Sequence, residues 1–195
     1  MNKLALLVLV TLALQSTVAS AQVDSLSFKE QSALWRDVSR HPDGYLEVKG
    51  SRAQVETVRK FVELSSKIRP SSDWTPPVRC DLPFGFKRIG AMPEFNRRES
   101  TFYSKHGNLA MLTVWELDPE QQVTPAFKDM LNTEINGHAG TISLIRHSSR
   151  ALWKVTWLAK RTNFELYVED QIGAESKPVI HSSELLLLAR GLTCK

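Results

Sequence analysis

The sequence predicts an α+β fold, in which an antiparallel sheet of about five or six strands packs against helices on one face. Two observations favour this class. From Leu82 onward, apolar and polar residues alternate with a period of two, in short runs that polar turns separate. Before that point, the apolar residues recur at the spacing of helices. N-terminal helices, followed by a strand-rich part with one or two later helices, are therefore expected.

The segment 1–21 is expected to be a cleaved signal peptide rather than part of the fold. Lys3 supplies a positive charge, the run Leu4–Leu14 is apolar, and Ala19–Ala21 has the small residues of a cleavage site. The apolar run is shorter than the roughly 20 residues of a membrane-spanning helix. We therefore expect export to the periplasm, or alternatively secretion, with a mature chain that begins near Gln22. An uncleaved N-terminal anchor is the other interpretation.

The next part, residues 22–69, is predicted to be mainly helical. A first helix is expected over Ser25–Val38, where apolar residues fall on helical spacing. Alternation over Tyr45–Lys49 indicates a short strand. Ser51 is then expected to cap a second helix that runs to about Ile68.

Residues 70–81 are predicted to be a connector, because they are rich in proline and serine. The part before the connector is too small to bury much apolar surface alone, so we expect it to form one compact unit with the sheet at 82–195. The strands expected there are Phe84–Ile89, Glu99–Ser104, Leu109–Glu116, Gly140–Arg146, Ala151–Ala159 and Phe164–Glu169. The helices expected there are Pro125–Ile135, which Asn136-Gly137 would close, and Glu184–Arg190, with Ser182 or Ser183 as its cap.

The two cysteines are expected to form a disulfide, because an even cysteine count in an exported chain is typical of one. A Cys80–Cys194 bond would tie the end of the chain to its middle. The chain-entropy model assigns about 4–5 kcal/mol to the closure of so long a loop. The absence of a C-x-x-C motif favours a structural bond over a redox pair.

Alternation also separates the two faces of the predicted sheet. One face is expected to be the core, with the side chains of Ile142, Leu144, Trp153, Val155, Trp157, Ala159, Phe164, Leu166 and Val168. The opposite face is expected to be polar, either simply solvated or a flat binding surface. If it is a binding surface, the candidate residues are Ser143, His147, Lys154, Thr156, Glu165 and Tyr167.

The sequence contains few signals of catalysis. G-x-S-x-G, H-E-x-x-H and glycine-rich phosphate loops are absent, and no two of the five histidines lie two or four positions apart. Glu165 and Glu169 could form an acid pair, but Lys154 and Lys160 on the neighbouring strand favour charge pairs across strands. We therefore predict no catalytic residues, no metal and no cofactor.

Charge and hydropathy restrict the partners. The formal net charge is +4, it falls by one if Lys3 is removed with the signal peptide, and the basic residues are scattered. A nucleic-acid-binding protein normally concentrates its basic residues, so no nucleic acid is expected. No second apolar run approaches 18 residues, so no membrane span is expected after cleavage. A protein of the cell envelope is the expected partner.

Three short segments of the strand-rich part resemble the small C-terminal module of the periplasmic RseB/MucB regulators. The segments are Leu82–Phe86, Glu99–Ser104 and Gly107–Leu109, which together span about thirty residues. In that family a P-x-G-F strand is followed by a strand that ends in Y-S-x-G. The resemblance implies an envelope regulator that senses a lipid or peptide. The N-terminal part does not resemble the large lipid-binding half of those regulators, and the chain is too short to hold both.

Three functions are therefore predicted. The first is an exported, non-catalytic binding protein, most concretely an inhibitor or immunity-type protein that blocks a toxin or hydrolase with a preformed polar surface. The second is an envelope regulator or assembly factor, which predicts an apolar groove, for example between the helices and the sheet. The third is an enzyme whose site is assembled from distant residues, which predicts strongly shifted pKa values in a cleft.

Overall fold

The computed structural model describes residues 38–67, 78–94, 98–117 and 130–195. Nine strands form one mixed sheet, and two short strands form a second sheet. The strands are β1 Val38–Arg40, β2 Leu46–Lys49, β3 Cys80–Asp81, β4 Lys87–Glu94, β5 Arg98–Lys105, β6 Asn108–Glu116, β7 Thr133–Ile135, β8 His138–His147, β9 Arg150–Ala159, β10 Thr162–Gln171 and β11 Thr193–Cys194. The helices are α1 Arg52–Val55, α2 Thr57–Ser65 and α3 Ser182–Arg190, and a 3-10 turn lies at Ala174–Ser176.

Two antiparallel meanders make up most of the large sheet. In one, β4, β5 and β6 are neighbours, and in the other β8, β9 and β10 are. Strand β6 pairs antiparallel with β10, so the two meanders form one continuous surface. All six strands expected after Leu82 are present with shifted ends, and the described residues are mostly β-sheet with three α-helices.

The sheet is larger than the prediction and is not wholly antiparallel, so both of those details were wrong. Strand β2 pairs parallel with β8, with Leu46 opposite Ser143. Strand β7 pairs antiparallel with β8 through the register Thr133↔Gly140. Strands β1 and β7 have three residues each, which is too short for alternation to show in a sequence.

Asn132 joins the two short strands that border β8. Its side-chain amide donates to the carbonyl of Ile142 at 2.9 Å and to that of Gly44 at 3.0 Å, and its oxygen accepts the amide of Ile142 at 2.8 Å. The side chain therefore supplies the bonds that a continuous neighbouring strand would otherwise make.

Helices cover both faces of the large sheet, which corrects the prediction of helices on one face only. Val55 of α1 and Val58 of α2 pack against Phe102, Met111 and Leu152 on what we call the α1–α2 face. Leu185 and Leu188 of α3 pack on the opposite face, the α3 face, which carries the predicted core residues. Within the described ranges, no helix is long and apolar enough to cross a membrane.

Consecutive apolar residues explain why both faces are covered. Phe102 and Tyr103 are neighbours on β5, point to opposite faces, and are both fully buried. On β6, all five residues from Ala110 to Val114 are buried. A strand that is buried on both faces carries a continuous apolar run instead of an alternating one.

The bounds predicted for two helices disagree with the structure. Val38 begins β1, so the helix expected over Ser25–Val38 does not extend that far, and its other residues lie outside the described ranges. Thr133–Ile135 is strand β7, so the end of the helix expected over Pro125–Ile135 was wrong. The following Asn136 and Gly137 have φ values of 49° and 82°, which suit a two-residue hairpin turn rather than a helix end.

The second N-terminal helix is present with the expected cap. The hydroxyl of Ser51 accepts the amide of Gln54, and the side chain of Gln54 accepts the amide of Ser51, which forms a capping box. A bend at Glu56 divides this helix into α1 and α2. The last helix begins at Ser182 and has His181 at its N-cap, so neither serine is the cap.

The disulfide Cys80–Cys194 is present and links β3 to β11. Backbone bonds between Arg79 and Lys195 extend this short ladder, and the hydroxyl of Tyr103 donates to the carbonyl of Cys80. Burial raises the pKa of Tyr103 to about 12, so its hydroxyl remains a donor at neutral pH. The C-terminus is therefore fixed to the segment that leads into β4.

Candidate functional site

The six predicted binding residues all lie on the α1–α2 face. In the register of β8, β9 and β10, Ser143 is opposite Lys154, Lys154 is opposite Tyr167, and Thr156 is opposite Glu165. His147 lies at the far end of β8, opposite Arg150. Arg150 is four residues from Lys154 on β9, a distance of about 13 Å along a strand.

Lys154, Glu165 and Tyr167 form a tight cluster. The ammonium of Lys154 lies 2.6 Å from one carboxylate oxygen of Glu165, and the hydroxyl of Tyr167 donates to the other oxygen at 2.7 Å. The guanidinium of Arg98 lies 3.7 Å from this second oxygen. The side chain of Glu165 is only 13% exposed, whereas that of Lys154 is 31% exposed. The predicted charge pair across strands is therefore present at Glu165.

The pKa shifts in this cluster oppose acid–base catalysis at neutral pH. Burial would raise the pKa of Glu165, but Lys154, Tyr167 and Arg98 outweigh it and hold the pKa below its usual value. Burial would lower the pKa of Lys154, but Tyr167 and Glu165 raise it overall. Burial and Glu165 raise the pKa of Tyr167. The pKa of each group is thereby shifted further from the value near 7 that a general acid or base needs at neutral pH.

The remaining predicted residues are separate from this cluster or on its edge. The hydroxyl of Ser143 lies 3.5 Å from the backbone carbonyl of Lys154. Thr156 lies between Thr141 and Glu165 in the register. The ring nitrogen Nδ1 of His147 is 3.2 Å from the carbonyl of Gly50, so His147 contacts the segment before α1.

The acidic residues near the end of β10 are also partnered. Glu169 on the α1–α2 face accepts the guanidinium of Arg59 at 2.9 Å. Asp170 faces the other side and accepts from the indole of Trp153 at 2.9 Å and from the amide of Ile180 at 3.1 Å. Burial raises the pKa of Asp170. Asp170 therefore fixes the segment before α3, and Glu169 pairs with Arg59 instead of forming the acid pair with Glu165.

An apolar groove lies on the α3 face, between α3 and the turn that joins β5 to β6. Its volume is about 380 Å³. Seven apolar side chains line this α3 groove: Phe84, Phe86, Val168, Ile180, Leu185, Leu187 and Leu188. Four polar residues complete the lining: Lys105, His106, Asn108 and Glu184. The volume falls within the range of about 300–1,000 Å³ that is typical of ligand pockets.

Two large apolar side chains of this groove remain exposed. Phe84 is 58% exposed and Leu187 is 55% exposed. Phe84 and Gly85 form a turn with φ values of 60° and 80°, so the strand expected from Phe84 begins only at Lys87. A left-handed backbone costs a non-glycine residue about 1–2 kcal/mol. An aromatic residue that is both strained and exposed is explained better by binding than by stability.

Lys105 is a part-buried cation in this groove. It follows Tyr103 on the α3 face of β5, and the next residue, His106, is exposed in the turn. Glu184 is exposed in the first turn of α3. In the part of the chain that the structure describes, Lys105 forms no ion pair.

The sequence contained signals for this groove that our prediction of the polar face did not use. Leu185–Leu188 is a run of four leucines on a short helix. Successive helix positions point in different directions, so one sheet cannot cover all four, and Leu187 faces outward. Pro83-Phe84-Gly85 places an aromatic residue in a turn sequence, where the core does not require one.

Within the ranges 38–67, 78–94, 98–117 and 130–195, no group of three or more His, Cys, Asp or Glu side chains could hold a metal ion. No family model, no curated protein and no solved structure matches the chain. The short resemblance to the RseB/MucB module stays a prediction.

Proposed function

We propose that the chain is an exported, non-catalytic binding protein of the periplasm, and that its α3 groove holds an apolar group of the ligand. One observation carries this proposal: an apolar groove of about 380 Å³ whose rim exposes Phe84 and Leu187. The groove lies between a helix and the sheet, which is the geometry expected for an envelope regulator or assembly factor. The disulfide is compatible with export.

The energetics favour the groove over the polar cluster as the ligand site. Complete burial of a leucine or phenylalanine side chain contributes about 1.5–3 kcal/mol, so a ligand that covers the exposed halves of Phe84 and Leu187 gains about 1 kcal/mol from each. On the other face, Lys154 and Glu165 already neutralise each other. A ligand would have to displace that ion pair before it gained from either charge.

The test uses the mature, disulfide-bonded protein and a neutral apolar fluorophore, N-phenyl-1-naphthylamine. We expect saturable binding, because the fluorophore is apolar and most of the side chains that line the groove are apolar. Leu187→Glu places a charge at the rim and is expected to weaken binding about tenfold or more. Leu64→Glu is the matched control, since Leu64 is an exposed helix leucine (39%) on the opposite face.

Two results would count against the groove as the site. Binding that is unchanged in the Leu187→Glu variant would place the fluorophore elsewhere. Equal weakening in the Leu64→Glu variant would indicate a general loss of structure. Far-ultraviolet circular dichroism of both variants separates unfolding from a local effect.

An inhibitor or immunity-type protein is the second proposal, and one observation favours it. Phe84 projects from a tight turn, and exposed aromatic residues often anchor protein interfaces. The partner would be a toxin or hydrolase of the envelope. We expect this protein, purified from the envelope of its host, to retain a stoichiometric protein partner that Phe84→Ser releases. Retention of a small apolar molecule, seen by native mass spectrometry, would favour the first proposal instead.

A further inference from the structure

We infer that the ligand of the α3 groove is a single-chain amphiphile with an anionic head group, whose chain lies in the groove and whose head group lies at Lys105. This inference rests on the proposed function of the groove. The apolar lining defines where the chain lies, and the part-buried cation at the β5–β6 turn defines the charge of the head group.

The position of Lys105 supports this assignment. Tyr103 and Lys105 point to the same face of β5, and Tyr103 is fully buried in the core below the groove. Lys105 is the next residue on that face towards the turn, and it is part-buried among the groove residues. Lys105 therefore lines the groove at the end that is formed by the β5–β6 turn.

A comparison with Lys154 shows what Lys105 lacks. Both lysines are part-buried on the large sheet, on opposite faces. Lys154 has the carboxylate of Glu165 at 2.6 Å, whereas none of the described carboxylates forms an ion pair with Lys105. Lys105 can therefore pair with an anion without breaking an existing ion pair, whereas Lys154 cannot. An anionic ligand would supply that anion.

The other polar residues of the groove sharpen the assignment. His106 follows Lys105 and can donate a hydrogen bond to an anion. Glu184 is the one acidic residue in the lining, and it is exposed in the first turn of α3. Lys105 is the less exposed of the two charged residues, and solvent screens a more exposed charge more strongly, so we expect Lys105 rather than Glu184 to set the charge preference of the groove.

The test compares three probes of equal chain length: decanoate, decanol and decyltrimethylammonium. The two charged probes are used below their critical micelle concentrations, and decanol is used below its solubility limit. Each probe displaces N-phenyl-1-naphthylamine from the disulfide-bonded protein. We expect decanoate to act at about a tenfold lower concentration than the other two, as a charge-assisted contact implies. Lys105→Gln is expected to remove this preference. The control is Lys160→Gln in the β9–β10 turn, at the other end of the sheet.

Each outcome is decisive. Equal displacement by decanoate and decanol would overturn the anionic head group and leave the groove as an apolar site. A preference for decyltrimethylammonium would also overturn it and would assign the selectivity to Glu184. If the fluorophore binds but none of the probes displaces it, the inferred amphiphile is overturned and the groove remains an apolar site. If the fluorophore does not bind at all, the proposed function fails together with the inference. A preference for decanoate that persists in Lys105→Gln would assign the head group to another residue.

Discussion

The two faces of the large sheet use polar and apolar residues in opposite ways. On the α1–α2 face, Lys154, Glu165 and Tyr167 are charged or polar, but they bind one another. On the α3 face, the groove is mainly apolar, and its part-buried cation, Lys105, has no ion pair among the described residues. Polarity alone therefore does not locate a binding surface. What matters is whether each group already has a partner.

The largest effect on stability is expected from the double variant Cys80→Ser/Cys194→Ser. This variant should destabilise the α3 face more than the α1–α2 face. The disulfide holds the end of α3 against the segment that carries Phe84, and Gly191 lies close to Pro83 there. We expect a loss of about 4–5 kcal/mol in the free energy of unfolding, measured in urea.

Amide hydrogen exchange of the same double variant should show which of the two faces loses its structure first. Protection should fall first in α3, while the amides of α2 keep theirs until global unfolding. Binding of N-phenyl-1-naphthylamine should weaken as well. Uniform loss of protection on both faces would show that the disulfide does not act locally on the groove.

An intermediate effect is expected from Lys154→Met, which breaks the polar cluster of the α1–α2 face. The change leaves Glu165 buried without its main counter-ion, and we expect the free energy of unfolding to fall by about 2–3 kcal/mol, since Lys154 is partly exposed. The double variant Lys154→Met/Glu165→Leu should recover part of this loss. If the double variant is as unstable as the sum of the two single variants, the pair is not coupled.

The same cluster predicts a dependence on pH with a definite sign. Lys154, Tyr167 and Arg98 hold the pKa of Glu165 below its usual value in the folded protein. The stability that Glu165 contributes is therefore present above the usual pKa of a glutamate, and it is lost as the pH falls through the lower folded pKa. A Glu165→Gln variant should show a flatter loss of stability in acid than the wild type does.

The smallest effect on stability, with the opposite sign, is expected from Phe84→Asn. Asparagine tolerates the left-handed backbone of this turn, so the variant should gain about 0.5–1 kcal/mol in the free energy of unfolding. Its groove loses an aromatic wall, so binding of N-phenyl-1-naphthylamine should weaken. A variant that is less stable than the wild type would show that Phe84 serves packing rather than binding.

The sequence alone predicted the structure correctly where it depends on local patterns. Alternation in β8, β9 and β10 correctly assigned Trp153, Val155 and Leu166 to one buried face, and it placed Lys154 beside Glu165 on the other. Capping by Ser51 was also correct, because the cap depends only on residues within one turn of helix.

The sequence alone did not predict the structure where it depends on contacts between distant segments of the chain. The parallel pairing of β2 with β8 depends on contacts between remote parts of the chain, and no local pattern indicates it. Asn136-Gly137 suits both a helix end and a hairpin turn, and only the pairing of β7 with β8 distinguishes them. The α3 groove is formed by four separate segments of the chain, and no local pattern indicates that these segments meet.

The parallel contact between β2 and β8 also determines the order in which the molecule can assemble. Gly50 and His147 lie 97 positions apart in the chain and yet are in hydrogen-bond contact. Closing so long a loop is entropically costly unless its distant end is already ordered, whereas the β8–β9–β10 meander needs only short loops. We therefore expect the β8–β9–β10 meander to form before the contact between β2 and β8. We expect strands β1 and β2 to dock onto the meander afterwards, although they precede it in the chain.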